Sequence, residues 1–126
     1  MTSNHLRWVN DNIFDLSAEE RVVGSYLYDR YNEMIARVQG LLVDPETFEV
    51  RYAVIKEGGF LFTEGKLILL PRPHYEVIDM GKIKTRWSRE SLQQAPTVTQ
   101  LEQIPHHEEK MILSYFDLEP YWESSE

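Results

Sequence analysis

From Val22 the chain begins to alternate. Val23, Ser25 and Leu27 fall on one side of an extended backbone, Val22, Gly24, Tyr26 and Tyr28 on the other, and β-branched and aromatic residues dominate, so a strand is predicted. Ahead of it, residues 1 to 20 are polar with scattered Trp8, Ile13, Phe14 and Leu16. Within them Ser17-Ala18-Glu19-Glu20 has the serine and third-place glutamate of a capping box, which predicts one helical turn in a lead-in. After the strand, the polar stretch Asp29 to Glu33 carries Asn32, a residue that tolerates the left-handed backbone of tight turns. The chain should reverse there into a second strand, Met34 to Asp44, as a hairpin.

Turn chemistry then recurs at short intervals. Asp44-Pro45-Glu46-Thr47 predicts a corner, because proline presets φ and Asp44 can accept a local backbone hydrogen bond. Val50 to Lys56 follows as a strand, Glu57-Gly58-Gly59 permits a reversal, Phe60 to Phe62 reads as a short strand, and Thr63-Glu64-Gly65 turns again. Leu67 to Leu70 is apolar at every position and halted by Pro71, the pattern of a strand covered on both faces. Val77 to Asp79 and Lys82 to Trp87 are the last extended pieces, separated by Gly81. Close-spaced strands with no crossover helix between them predict a mainly β fold, a small antiparallel barrel.

Past Pro96 the period changes. Pro105 can stand at the N1 position of a helix, and Met111, Ile112, Tyr115 and Phe116 recur at helical spacing against Glu108, Lys110, Ser114 and Asp117. This C-terminal amphipathic helix ends near Glu119-Pro120 and must bury its apolar face on its own barrel or on another chain. Met111, Ile112, Tyr115, Phe116, Tyr121 and Trp122 are the residues expected to dock.

Charge sharpens that division. The 126 residues carry a net charge of −8, which opposes a general nucleic-acid binder. Residues 1 to 101 hold 14 acids and 12 bases, whereas residues 102 to 126 hold 7 acids and only Lys110, so the acidity is concentrated in the tail. Cysteine is absent, which removes disulfides, thiolate metal sites and a cysteine nucleophile and suits a reducing cytoplasm. The N-terminus lacks the basic and apolar regions of a secretory signal, and the longest apolar runs, Gly40 to Val43 and Leu67 to Leu70, fall far short of the ~20 residues a spanning helix needs. A soluble cytoplasmic domain without membrane insertion is expected.

Chemistry-bearing motifs are sparse. His106 and Glu109 would share a helix face, yet two ligands do not make a metal site, and a solvated first turn in which Glu108 and Glu109 suit the macrodipole is the expected state. Gly58 to Lys66 lacks the spacing of a phosphate loop: Phe60 stands at the required glycine, Leu67 at the required Ser or Thr, so a hairpin is expected. None of the histidines (His5, His74, His106, His107) pairs locally with a nucleophile. The chain therefore reads as non-catalytic, with no cofactor, metal or small-molecule substrate implied.

The most informative polar group is Lys82, Lys84 and Arg86. Period-two spacing puts all three on one face of a strand, with Ile83, Thr85 and Trp87 on the other, while Arg89 and Arg72 extend the charge. Such a row either protects an edge strand from pairing or contacts RNA or an acidic protein surface.

Several runs together resemble the PRC-barrel family: Val23 to Asp29, Glu33 to Val38, Leu41 to Thr47, Leu67 to Pro71 and Leu92 to Pro96. The resemblance covers roughly residues 20 to 96 and is greatest to stand-alone bacterial members, although Ala36 stands where the family often has glycine. It implies a PRC-type barrel over 21–96, and the residue pattern adds a lead-in over 1–20 and an acidic helical tail over 97–126 expected to pack on the barrel. Two functions follow as expectations. One is a protein-interaction or scaffolding module that binds another protein or a second copy of itself. The other is an RNA- or ribosome-associated accessory factor using the basic strand.

Overall fold

The computed structural model describes residues 6–57, 66–98, 100–101 and 103–123. Its strands are β1 (Arg7–Val9), β2 (Tyr26–Tyr28), β3 (Met34–Val43), β4 (Val50–Glu57), β5 (Lys66–Pro71), β6 (Glu76–Asp79) and β7 (Lys82–Lys84), followed by helices α1 (Arg89–Gln93) and α2 (His106–Tyr115). They form one sheet in the order β5-β4-β3-β2-β7-β6, with β1 also on β3. Among the described residues no ladder joins β6 back to β5, so the hydrogen-bonded path keeps two ends. The expected strand Phe60 to Phe62 and the reversals beside it lie outside the described residues. No helix among the described residues is long and apolar enough to cross a membrane.

The local turn signals act as their chemistry predicts. Asp29 Oδ1 accepts from the Tyr31 and Glu33 amides, and Asn32 takes φ 65°, which closes the β2–β3 hairpin. Asp44 Oδ1 likewise accepts from the Glu46 and Thr47 amides. Partial burial works against an ionised Asp44, and those amides together with Arg51 more than offset it, holding its pKa below the ordinary value.

Four expectations need correction. The first strand is only Tyr26–Tyr28, because Gly24 turns with φ 89° and the Asn12 side chain, bonding both N–H and C=O of Val23, replaces a neighbouring strand there. The sheet is not wholly antiparallel, since β2 and β7 run parallel. Between them the chain passes through β3, β4, β5, a 3-10 turn (Arg72–His74) and β6, with no α-helix among the described residues of the crossover. Lys82 to Trp87 is extended only to Lys84; Ser88 then caps α1 by accepting from the Ser91 amide. The lead-in, finally, belongs to the fold: β1 pairs Trp8 with Leu42, and Leu6, Val9 and Leu16 are buried. Its Ser17 makes no side-chain cap, so Ala18–Glu20 is a single 3-10 turn.

Burial divides the sheet into two halves. Successive buried positions in β3 (Gly40 to Val43), β4 (Tyr52 to Ile55) and β5 (Ile68 to Leu70) mean that both sheet faces are covered there. In β2 and β7 burial alternates, with Leu27 and Ile83 at 0% exposure between exposed and half-buried neighbours, so one face remains in solvent.

The covered half depends on a close approach at Gly40. A Cβ there would lie 2.7 Å from the Val9 carbonyl oxygen and inside the contact distance of the Trp8 ring. Gly40→Ala should therefore lower stability by about 2 kcal/mol, within the 1–3 kcal/mol of typical overpacking. Urea denaturation checks this, and an unchanged midpoint would contradict the packing of β1 on β3.

Candidate functional site

Register builds the solvent face in rows. Strand partners share a face, so Lys56, Arg37, Tyr26, Lys82 and Asp79 form one row across β4-β3-β2-β7-β6, and Met34, Tyr28, Lys84 and Glu76 form the next. Arg37 lies 5.3 Å over the Tyr26 ring and Lys82 lies 5.6 Å over Tyr28, so cations and aromatics interleave. Tyr26 and Met34 on these rows, and Ile78 at the β6 bulge, are 41–49% exposed, whereas Val77 pairs with the buried Ile83 on the opposite face.

Where β7 ends, this face runs into a hollow of about 300 Å³ lined by Arg30, His74, Tyr75, Glu76, Lys84 and Arg86, among others. The Thr85 amide donates to the Tyr28 carbonyl, which carries the β2–β7 ladder past Lys84 and brings Arg30 beside Arg86. Behind the hollow, His74 Nε2 donates to the Phe116 carbonyl at 2.8 Å, and the His74 ring packs edge-on against Trp87. Among the described residues, none of Arg30, Lys84 and Arg86 makes an ion pair.

The predicted basic group thus divides. Lys82 and Lys84 do share the outward face, and Arg86 rejoins Lys84 at the hollow after the strand has ended. Edge protection by this row is ruled out, because β7 is paired on both sides. The edge is β6, which carries Glu76, Asp79 and a bulge. Arg72 is elsewhere: its Nε contacts both Glu20 carboxylate oxygens at 2.9 and 3.1 Å, its Nη1 donates to the Tyr75 carbonyl, and it ties the 3-10 turn Ala18–Glu20 to its own, Arg72–His74. Arg89 donates to the Met34 carbonyl at the hairpin end of β3.

A larger groove, about 620 Å³, runs between the N-terminal turn, the β3–β4 corner and the tail, with Arg51 and Arg72 in its lining. Both cations are matched internally. Arg72 holds Glu20, while Arg51 pairs with Glu49 at 2.9 Å and Asp44 at 3.7 Å and lies 4.3 Å over the Tyr121 ring. This groove is a seam inside the fold, and the smaller hollow has the uncompensated charge.

The tail closes on its own sheet. Ile112, Leu113 and Phe116 are buried, and Phe116 and Tyr115 pack on Trp87 with ring centroids 4.9 and 6.0 Å away. Tyr115 also donates to the Ser91 carbonyl, and Trp122 stacks on His106 at 3.9 Å. Met111, expected to dock, is 60% exposed. Its place in the buried stripe is taken by Glu109, which was expected in solvent and is 2% exposed. Glu109 Oε1 accepts from Tyr52 at 2.8 Å and from Tyr121 at 2.6 Å. Burial raises the Glu109 pKa, only partly opposed by the two hydroxyls, His106 and Arg51. Both phenols are in turn raised well above their ordinary range by burial and by Glu109.

Arg30 and Glu109 had no signal of their own in the sequence. Arg30 is placed by the parallel pairing of β2 with β7, a non-local fact, and Glu109 differs from a surface glutamate only through Tyr52, 57 residues away.

Fold and face together define a class: a small, mainly β domain with a helical tail laid over one half of its sheet. The family model described as PRC-barrel domain matches residues 15–86, which is 72 of the 126, and the chain belongs to the PRC-barrel family. That match spans β2 to β7 and includes Lys82, Lys84 and Arg86, whereas β1 and the tail lie beyond it. A search of curated proteins finds no match.

Proposed function

We propose that the chain is a non-catalytic protein-interaction or scaffolding module that docks a partner on the outward face of β3-β2-β7-β6. One observation carries this: Tyr26, Met34 and Ile78 remain 41–49% exposed beside uncompensated cations. Exposed apolar side chains grouped on one face with a polar surround are typical of interaction sites. Family membership supports taking the open sheet path as a small barrel with its seam between β5 and β6. The absence of cysteine fits work in a reducing cytoplasm, as in the bacterial stand-alone members that the chain resembles.

The test is a pull-down from native cytosol with wild type and a Tyr26→Glu/Ile78→Glu double variant, each with and without ribonuclease. Wild type should retain protein partners that resist ribonuclease. The double variant should lose them with its stability changed by less than about 0.5 kcal/mol, the usual limit for surface substitutions. Ribonuclease-sensitive recovery would instead favour an RNA- or ribosome-associated factor, for which the interleaved tyrosines and cations are the supporting feature. Equal recovery by both proteins would remove this face from the interaction.

A further inference from the structure

We infer that the hollow between Arg30, Lys84 and Arg86 is an oxyanion site that takes a side-chain carboxylate from an acidic segment of the protein partner. This rests on the docking face proposed above and names what anchors there. In a chain of net charge −8, three cations line one hollow against a single acid, Glu76. None of the three has a carboxylate within ion-pair distance among the described residues, whereas Arg51 and Arg72 both do. Arg30 donates to the Tyr31 hydroxyl at 3.1 Å and lies 5.1 Å over that ring, a neutral contact that leaves its charge unmatched. Two arginines and a lysine lining one space match a carboxylate, with charge-assisted bonds roughly twice as strong as neutral ones.

Size and surroundings narrow the ligand. About 300 Å³ lies at the bottom of the range for small-molecule pockets, which suits a side chain better than a cofactor. The walls are fixed: Thr85 and Tyr75 are buried, and the aromatic cluster of His74, Trp87 and Phe116 stands behind them. A continuous polyanion fits poorly, because Asp79 and Glu76 sit opposite Lys82 and Lys84 along β6 and would repel a phosphate track. An isolated carboxylate in the hollow avoids Asp79 and meets Glu76 alone, against three cations. Beside it, the exposed Ile78 and Met34 favour apolar residues flanking the acid.

The ¹⁵N-labelled full chain can be titrated with a capped Leu-Glu-Leu-Glu-Leu peptide, the same peptide with Gln for Glu, and a short single-stranded RNA. The acidic peptide should shift amide signals of Arg30, Tyr75, Lys84, Thr85 and Arg86, and a Lys84→Ala/Arg86→Ala variant should bind it about tenfold more weakly. The Gln peptide and the RNA should bind at least about tenfold more weakly than the acidic peptide. No shift with the acidic peptide, shifts centred elsewhere, equal binding of the Gln peptide, or tighter binding of the RNA would each overturn the site. If the site falls while the Tyr26→Glu/Ile78→Glu variant still loses its protein partners, the docking face stands and only its anchor is wrong.

Discussion

Deleting residues 102–126 should leave a chain that no longer melts cooperatively, or melts more than about 10 °C lower. The magnitude follows from what the tail buries. Ile104, Ile112, Leu113 and Phe116 are all at 4% exposure or less. Burying each such side chain is worth about 1.5–3 kcal/mol, so together they contribute about 6–12 kcal/mol, comparable to the entire net stability of about 5–15 kcal/mol of a small domain. The deletion would also uncover Trp87, and would leave the Tyr52 hydroxyl, which bonds Glu109, without its acceptor. Circular dichroism on heating checks the result, with Met111→Ser as the control that should change little, Met111 being 60% exposed. An unchanged melting temperature would mean that the tail does not complete this core and is available to another chain.

The turns were legible in the sequence because their causes are local. Asp29, Asn32 and Asp44 act within four residues of themselves, and the structure places each in the predicted corner. Leu67 to Leu70 was legible for a related reason: an unbroken apolar run has no face to give to water, and Ile68, Leu69 and Leu70 are fully buried. What was not legible depends on partners distant in sequence. The β1 strand is three residues of unremarkable composition until Trp8 crosses Gly40, and the parallel β2–β7 pair joins segments more than 50 residues apart. α1 was missed because its only buried residue is Leu92, too little for a period to show.

The error in the tail is more instructive. A stripe of Met111, Ile112, Tyr115 and Phe116 is the best apolar arc that residue type alone can draw, yet the buried stripe is Glu109, Ile112, Leu113 and Phe116, spaced i, i+3, i+4, i+7. Rotating the helix to that phase exposes a methionine and buries a carboxylate. Two tyrosines make the exchange tolerable by donating to one oxygen of that carboxylate. For the candidate site, strand periodicity correctly aligned Lys82 with Lys84, but it could not show that Arg72 belongs to Glu20 or that Arg30 completes the hollow.

Replacing Glu109 should therefore separate its charge from its hydrogen bonds. Glu109→Ala should cost about 3 kcal/mol, because it opens a cavity and leaves the Tyr52 hydroxyl, at 0% residue exposure, without an acceptor, a loss worth about 1–3 kcal/mol by itself. Glu109→Gln keeps an acceptor oxygen for both tyrosines and removes the ionisable group, so it should stay within about 1 kcal/mol of wild type near neutral pH. The pH dependence tests the cause. Burial raises the folded-state pKa of Glu109 above its unfolded value, so the folded chain holds this proton more tightly. The stabilisation from that proton is complete below the unfolded pKa of about 4.3 and disappears as pH rises through the folded pKa. His106 and Arg51, the cationic neighbours, limit the shift without reversing it. Urea midpoints measured from acid to neutral pH should show Glu109→Gln gaining on wild type as pH rises through that window. A difference that stays flat with pH would mean that ionised Glu109 is not penalised in the fold, and that the tail is held by its apolar residues alone.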